Sequence, residues 1–177
     1  GLYRYVPGSY AGWSADTVAK YFLRDLLEGM EGTTIRAGVI KLAWDFEYRI
    51  DEGPAGPRAQ LEKCARGAAR AAKVAGVPII CHHRSADRTG DRLLDIFEEE
   101  GVNLRAVTIG HCNDSLESDY VVNLAKRGAT VGLDRFNPIR GMAELERRAR
   151  VALDVVKAGY ANQMTLGHDL AAYSING

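Results

Sequence analysis

Residues Val77–Asp114 read VPIICHHRSADRTGDRLLDIFEEEGVNLRAVTIGHCND. Two short apolar runs, Val77–His82 and Ala106–His111, flank a segment of helical period, Gly90–Glu100, that stops at Gly101. Continuous apolar runs of this length suit strands buried on both faces, as in a parallel sheet. A glycine directly after the last periodic residue is the expected helix stop. The stretch therefore reads as a β-α-β unit, and both of its strands end on histidine.

The alternation continues in both directions. Upstream lie the runs Arg36–Ala43 and Gly1–Val6, the helix Pro57–Ala75 (Pro57 in its first turn, Gly76 past its end) and the helix Ala15–Met30, capped by Ser14 or Asp16. Downstream follow the helix Leu116–Arg127 before Gly128, the run Ala129–Asp134, the helix Gly141–Ala158 before Gly159, and the run Gln163–Asp169. Repeated β-α units without meandering strands imply an α/β fold with right-handed crossovers, either a barrel or a doubly wound sheet. Six strand-like runs in 177 residues give about 30 residues per unit, close to the spacing of a TIM barrel. A full barrel takes roughly 250 residues. On the barrel reading this is one partial (β/α)8 TIM-barrel domain over residues 1–177, with about two units outside this chain.

Composition narrows the function classes. With 46% hydrophobic and 26% charged residues the balance is that of a globular domain. A formal charge of zero offers no general attraction to nucleic acid or to an anionic membrane. No apolar run approaches the roughly 18 residues that span a bilayer. Cys64, Cys81 and Cys112 form neither a CxxC pair nor a disulfide framework, which points to a reducing, cytoplasmic compartment.

The informative polar residues stand at strand ends. Lys41 lies inside AGVIKLA, His82 and His83 end PIICHH, His111 ends TIGH, Asp134 ends VGLD, and His168–Asp169 end TLGHD. In a barrel these ends converge on one mouth, where active sites are built. A single histidine at a strand end is more often a hydrogen-bonded structural residue, and a lone buried lysine more often salt-bridged. Together, on separate strands at one end, they form a ligand set for a zinc-like metal. His83 and His168 alternate away from stronger neighbours and read as structural. Asp134 and Arg135 read either as a rim ion pair or as substrate contacts. Trp44 and Phe136 read as rim packing, and Arg66, Arg70, Lys73, Arg147, Arg148 and Arg150 as solvated outer helix faces. No nearby base activates Cys81 or Cys112, which argues against a nucleophilic thiol.

The blocks GLYRY (1–5), GMEGTTIRAGVIKLA (29–43), RGAARAAKVAGVPIICHH (66–83), EEEGVNLRAVTIGHCND (98–114), LAKRGATVGLDRF (124–136) and KAGYANQMTLGHD (157–169) resemble, in order and spacing, the phosphotriesterase-like branch of the amidohydrolase superfamily. That resemblance implies two divalent metals, Zn or else Co, Mn or Fe, bridged by a carboxylated Lys41 and a hydroxide. His82 and His111 would bind the more exposed metal, and Asp169 the other. Asp169 would also hold and deprotonate the bridging hydroxide, and Asp114 would relay its proton. The family's first-strand HxH pair does not occur in these residues. The resemblance thus implies that the first about two units and the C-terminal end of the barrel are the parts outside this chain.

GLYRY and GLDRF resemble the lactonase branch, with Tyr3, Tyr5 and Arg135 as substrate-contacting residues. The implied substrates are acyl-homoserine-type lactones, with organophosphate triesters as slower side substrates, and relatives of this kind are commonly homodimers. A dedicated phosphotriesterase on the same scaffold, a non-catalytic homologue or inactive fragment, and a metal-free Schiff-base enzyme using Lys41 are the alternatives. The last is disfavoured by His82, His111 and Asp169, which such chemistry does not need.

Overall fold

The computed structural model describes residues 12–44, 56–137 and 141–170. Strands β1 (Ile40–Trp44), β2 (Ile79–His83), β3 (Val107–Gly110), β4 (Thr130–Leu133) and β5 (Met164–Leu166) form one parallel sheet in the order β1-β2-β3-β4-β5. Helices α2 (Pro57–Ala75), α3 (Thr89–Glu99), α4 (Ser118–Lys126) and α5 (Met142–Lys157) connect successive strands, and α1 (Ala15–Leu23) precedes β1. A doubly wound sheet reverses its strand order at a switch point. Here each strand pairs with its neighbours in sequence, so the sheet is an arc of a (β/α) barrel. The expected strand Gly1–Val6 lies outside the described residues.

Two element boundaries differ from expectation. Helix α1, capped by Ser14 Oγ accepting from Thr17 N at 3.1 Å, ends at Leu23 rather than Met30. A π turn, Arg24–Glu28, takes over and closes when Gly29 N donates to Arg24 O at 3.1 Å. Gly29 stands at φ 139°, and a Cβ there would lie 1.9 Å from Thr33 O, so only glycine permits the turn. Strand β1 begins at Ile40 rather than Arg36, because Ala37 N donates to Asp25 O instead of to a neighbouring strand.

Alternation along the strands gives the sheet two different faces. Ile79, Cys81, His83, Val107, Ile109, Val131 and Leu133 are buried in one core with Leu93, Ile96 and Phe97 of α3 and Val121 and Leu124 of α4. Lys41, Ile80 and His82 belong to the opposite, inner face. Ile80 is 38% exposed and Lys41 is exposed as well, since a barrel's inner face is filled by side chains from strands all round it and the five described strands form only an arc. Trp44, expected at the rim, is 1% exposed and packs in the core. Phe136 is partly buried against it.

The helix faces expected to be solvated are partly structural. Arg70 makes two bonds of 2.9 Å to the Glu100 carboxylate and one of 2.7 Å to Asp16, while Arg66 Nη1 donates to Glu100 Oε1 at 3.1 Å. Lys73 Nζ donates to the Glu100 carbonyl at 2.7 Å. Together they tie α2 to the end of α3. Arg147 and Arg150 are exposed as expected, but Arg148 is 2% exposed. Its position on α5 falls on the same stripe as the buried Val151 and Val155, which turns it inward. Among the described residues no helix is long and apolar enough to cross a membrane.

Candidate active site at the strand ends

His82 is the fourth residue of β2 and shares the inner face with Lys41, whose register partner is Ile80. Lys41 therefore sits two residues, about 7 Å, below His82 along the strand direction. His111 follows β3 at φ 65°, a left-handed conformation that swings its ring toward His82. The two imidazoles meet edge to face, with centroids 4.3 Å apart at 75°. Ser85 Oγ holds the His111 turn by donating to His111 O at 2.6 Å.

Asp134, the first residue past β4, completes this pair. Its Oδ1 accepts from His111 N at 2.9 Å and from the His111 ring Nδ1 at 2.8 Å. A proton held on Nδ1 leaves the lone pair on Nε2, the tautomer that a metal-ligating histidine needs. Burial pushes the Asp134 carboxyl up, but the His111 hydrogen bonds and charge outweigh it and hold the group below the ordinary aspartate range. Room for this carboxylate comes from two glycines on the inner face. A Cβ at either Gly110 or Gly132 would lie 3.1 Å from Asp134 Oδ2, and one at Gly132 would lie 3.0 Å from Gly110 Cα.

Arg135 does not pair with Asp134, which was one of the two roles the sequence left open for them. Successive residues diverge beyond a strand end, and Arg135 turns to the other side of the mouth. There Nη1 lies 2.8 Å from Asp169 Oδ2 and Nε 3.5 Å from Asp114 Oδ2. Its backbone N donates to Asn113 Oδ1 at 3.1 Å. Arg148 reaches the same place from α5, with Nη1 2.7 Å from both Asn113 O and Asp114 Oδ1 and Nη2 3.0 Å from Glu144 Oε1. A cleft at these strand ends is lined by His82, Arg84, Ser85, Asp114 and Arg135.

His83 faces away, as expected, and its Nδ1 bonds Gly110 O at 2.5 Å. Burial pushes its imidazole down to about 4. His168 Nδ1 accepts from Leu170 N at 3.2 Å within its own turn. Burial raises all three thiols, Cys81 to about 12, so none is a ready nucleophile. Tyr3 and Tyr5 lie outside the described residues.

The arrangement thus brings His82, His111, Asp114, Arg135 and Asp169 to one mouth, with Lys41 deeper on the same face. The donor set, two imidazoles, a carboxylate and a lysine able to become a carbamate, suits a zinc-class ion. The Asp134 bond sets the His111 tautomer that ligation would require. Among the described residues, however, no three His, Cys, Asp or Glu side chains converge enough to hold a metal together. Asp169, at φ 44°, turns its carboxylate to Arg135. The Asp134–His111 bond and buried Arg148 were missed at the level of sequence. The first is hidden because it joins neighbouring strands, whereas the second was readable from the period of α5.

Comparison with known proteins identifies the family. The profile of the phosphotriesterase family matches residues 1–175. An aryldialkylphosphatase of Saccharolobus solfataricus is 33% identical over 171 residues, covering 96% of this chain and 52% of that protein. A phosphotriesterase homology protein of Mycobacterium tuberculosis is 35% identical over 152 residues, covering 86% and 44%. More distantly, an N-acetyltaurine hydrolase of Mus musculus is 22% identical over 173 residues, covering 89% and 46%. The chain spans about half the length of the curated relatives it matches. With its parallel arc of barrel strands and a family match over residues 1–175, the chain belongs to the phosphotriesterase family.

Proposed function

We propose that this chain is the central and C-terminal part of a metal-dependent barrel hydrolase that opens lactones of the acyl-homoserine type and cleaves organophosphate triesters as a slower side activity. The observation that carries the reading is the His82–His111 pair with Asp134 orienting His111, placed where barrel enzymes build their sites. Lys41, as a carbamate, His82, His111 and Asp169 would hold two divalent ions, Zn or else Co, Mn or Fe. When bound, such ions lower the pKa of water and polarise the carbonyl or phosphoryl oxygen under attack. The protein's own part is positional and protolytic. Asp134 keeps the His111 proton on Nδ1. Asp169 serves as the general base and Asp114 as the next proton acceptor; Arg135, always protonated, holds the two carboxylates near each other and does not itself carry the proton. Arg135 lines the mouth on the substrate side, with Tyr3 and Tyr5 as further substrate contacts. A cytoplasmic homodimer is the accompanying expectation.

The Saccharolobus relative's name supports a second reading, a dedicated phosphotriesterase on the same scaffold. The test is metal content on protein produced with bicarbonate and Zn²⁺ or Co²⁺, followed by rates on a lactone and on an aryl phosphotriester. About two ions per chain, lost in Lys41→Ala, with the lactone turned over faster, supports the lactonase. Faster triester cleavage selects the second reading. A protein that binds no metal overturns both and leaves a non-catalytic homologue or inactive fragment.

A further inference from the structure

We propose that Arg148, on the outer helix α5, is a positioning residue for the active site: it sets the Asp114 carboxylate and, through it, the Arg135–Asp169 pair. The catalytic consequence rests on the hydrolase reading above, but the positioning does not. Five side chains run in a row from the helix ring to the end of β5: Glu144, Arg148, Asp114, Arg135 and Asp169. The successive contacts are 3.0, 2.7, 3.5 and 2.8 Å. Arg148 is 2% exposed, whereas Asp169 at the far end has a half-exposed side chain.

Stability alone does not account for an arginine at that place. An apolar residue continuing the Val151 and Val155 stripe would fill the volume without the cost of desolvating a charge. What the guanidinium adds is direction. One nitrogen, Nη1, grips both the Asn113 carbonyl and Asp114 Oδ1, and so fixes the short turn after His111 together with its carboxylate. Asp114 Oδ2 is thereby left 3.5 Å from Arg135 Nε, an ionic contact without a hydrogen bond, and that buried Nε has no hydrogen-bond partner among the described residues. Asn113 repeats the control from its side chain, since its Oδ1 accepts the Arg135 backbone N–H at 3.1 Å. The carboxylate lies between two guanidinium groups, hydrogen-bonded to Arg148 and in ionic contact with Arg135, so rotation about its Cβ–Cγ bond changes both contacts. Removing Arg148 frees Asp114 to close onto Arg135, which then withdraws from Asp169.

The test uses Arg148→Lys, which keeps the charge but loses the fork, with Glu144→Gln as the second variant should the first not fold. In metal-free protein the Arg135 Nε–Hε resonance is expected to shift, with backbone resonances of the β-sheet unchanged. In metal-loaded protein kcat on a lactone is expected to fall about 10–100-fold, with metal content intact and KM within about threefold. Combining Arg148→Lys with Asp114→Asn is expected to cost no more than Asp114→Asn alone, because both act through one carboxylate. An unmoved Arg135 resonance, or losses that multiply in the double variant, overturns the proposal. If the parent protein binds no metal and hydrolyses nothing, the hydrolase reading falls, and the metal-free resonance still decides the role of Arg148.

Discussion

If His111 ligates a metal as proposed, replacing Asp134 separates the orientation of that ligand from its mere presence. Asp134 Oδ1 accepts two bonds from one residue, His111 Nδ1 at 2.8 Å and His111 N at 2.9 Å. Asp134→Asn keeps an acceptor oxygen in place, so the ring stays aimed, but it removes the charge that raises imidazole basicity. Asp134→Ala removes both bonds, leaves the ring to rotate, and deprives a left-handed His111 of its backbone partner. Outer partners of ligating histidines are worth about 10–100-fold in metal affinity, or about 1.4–2.7 kcal/mol. The smaller loss is expected for Asn and the larger for Ala. The alanine variant also loses about 1–3 kcal/mol of stability from the stranded N–H groups. The assay is competition for Zn²⁺ against a chromophoric chelator at neutral pH, paired with urea unfolding of the metal-free forms. Equal affinity in parent and Asp134→Ala would refute the reasoning, since His111 would then need no orientation. A loss in Asn as large as in Ala would show that charge, and not geometry, carries the effect.

Three further outcomes follow from the packing. Gly132→Ala places a Cβ 3.0 Å from Gly110 Cα and 3.1 Å from Asp134 Oδ2. It is expected to cost about 1–3 kcal/mol in urea unfolding and to weaken Zn²⁺ binding by displacing that carboxylate. The Arg70 hydrogen bonds hold the Glu100 carboxyl below the usual glutamate range. A depressed carboxyl contributes stability above its unfolded pKa and loses it as pH falls through the folded value. Stability should therefore decline below about pH 4, and Glu100→Gln should remove that part of the slope at a cost of about 1 kcal/mol at neutral pH. Cys64, Cys81 and Cys112 are buried with raised thiol pKa values. An aromatic disulfide reagent at neutral pH should label them only as fast as the chain opens, and a rapid first-order burst in native protein would contradict that burial.

The order of elements was legible in the chain because it depends on local chemistry. Continuous apolar runs, glycine stops and Pro57 define the β-α units, and histidines at the ends of β2 and β3 mark the working end of the sheet. Three other features depended on tertiary structure. Barrel arc against doubly wound sheet is a matter of which strand lies beside which, and only the pairing β1-β2-β3-β4-β5 decides it. Asp134 serves His111 and not Arg135 because two side chains adjacent in sequence diverge at a strand end, whereas residues 23 apart meet across β3 and β4. Arg148 belongs to the site and not to the solvent because α5 turns one stripe inward, onto the turn after His111. Periodicity tells which residues share a face; what that face meets is set by the packing of distant segments, and that is where the charges found their partners.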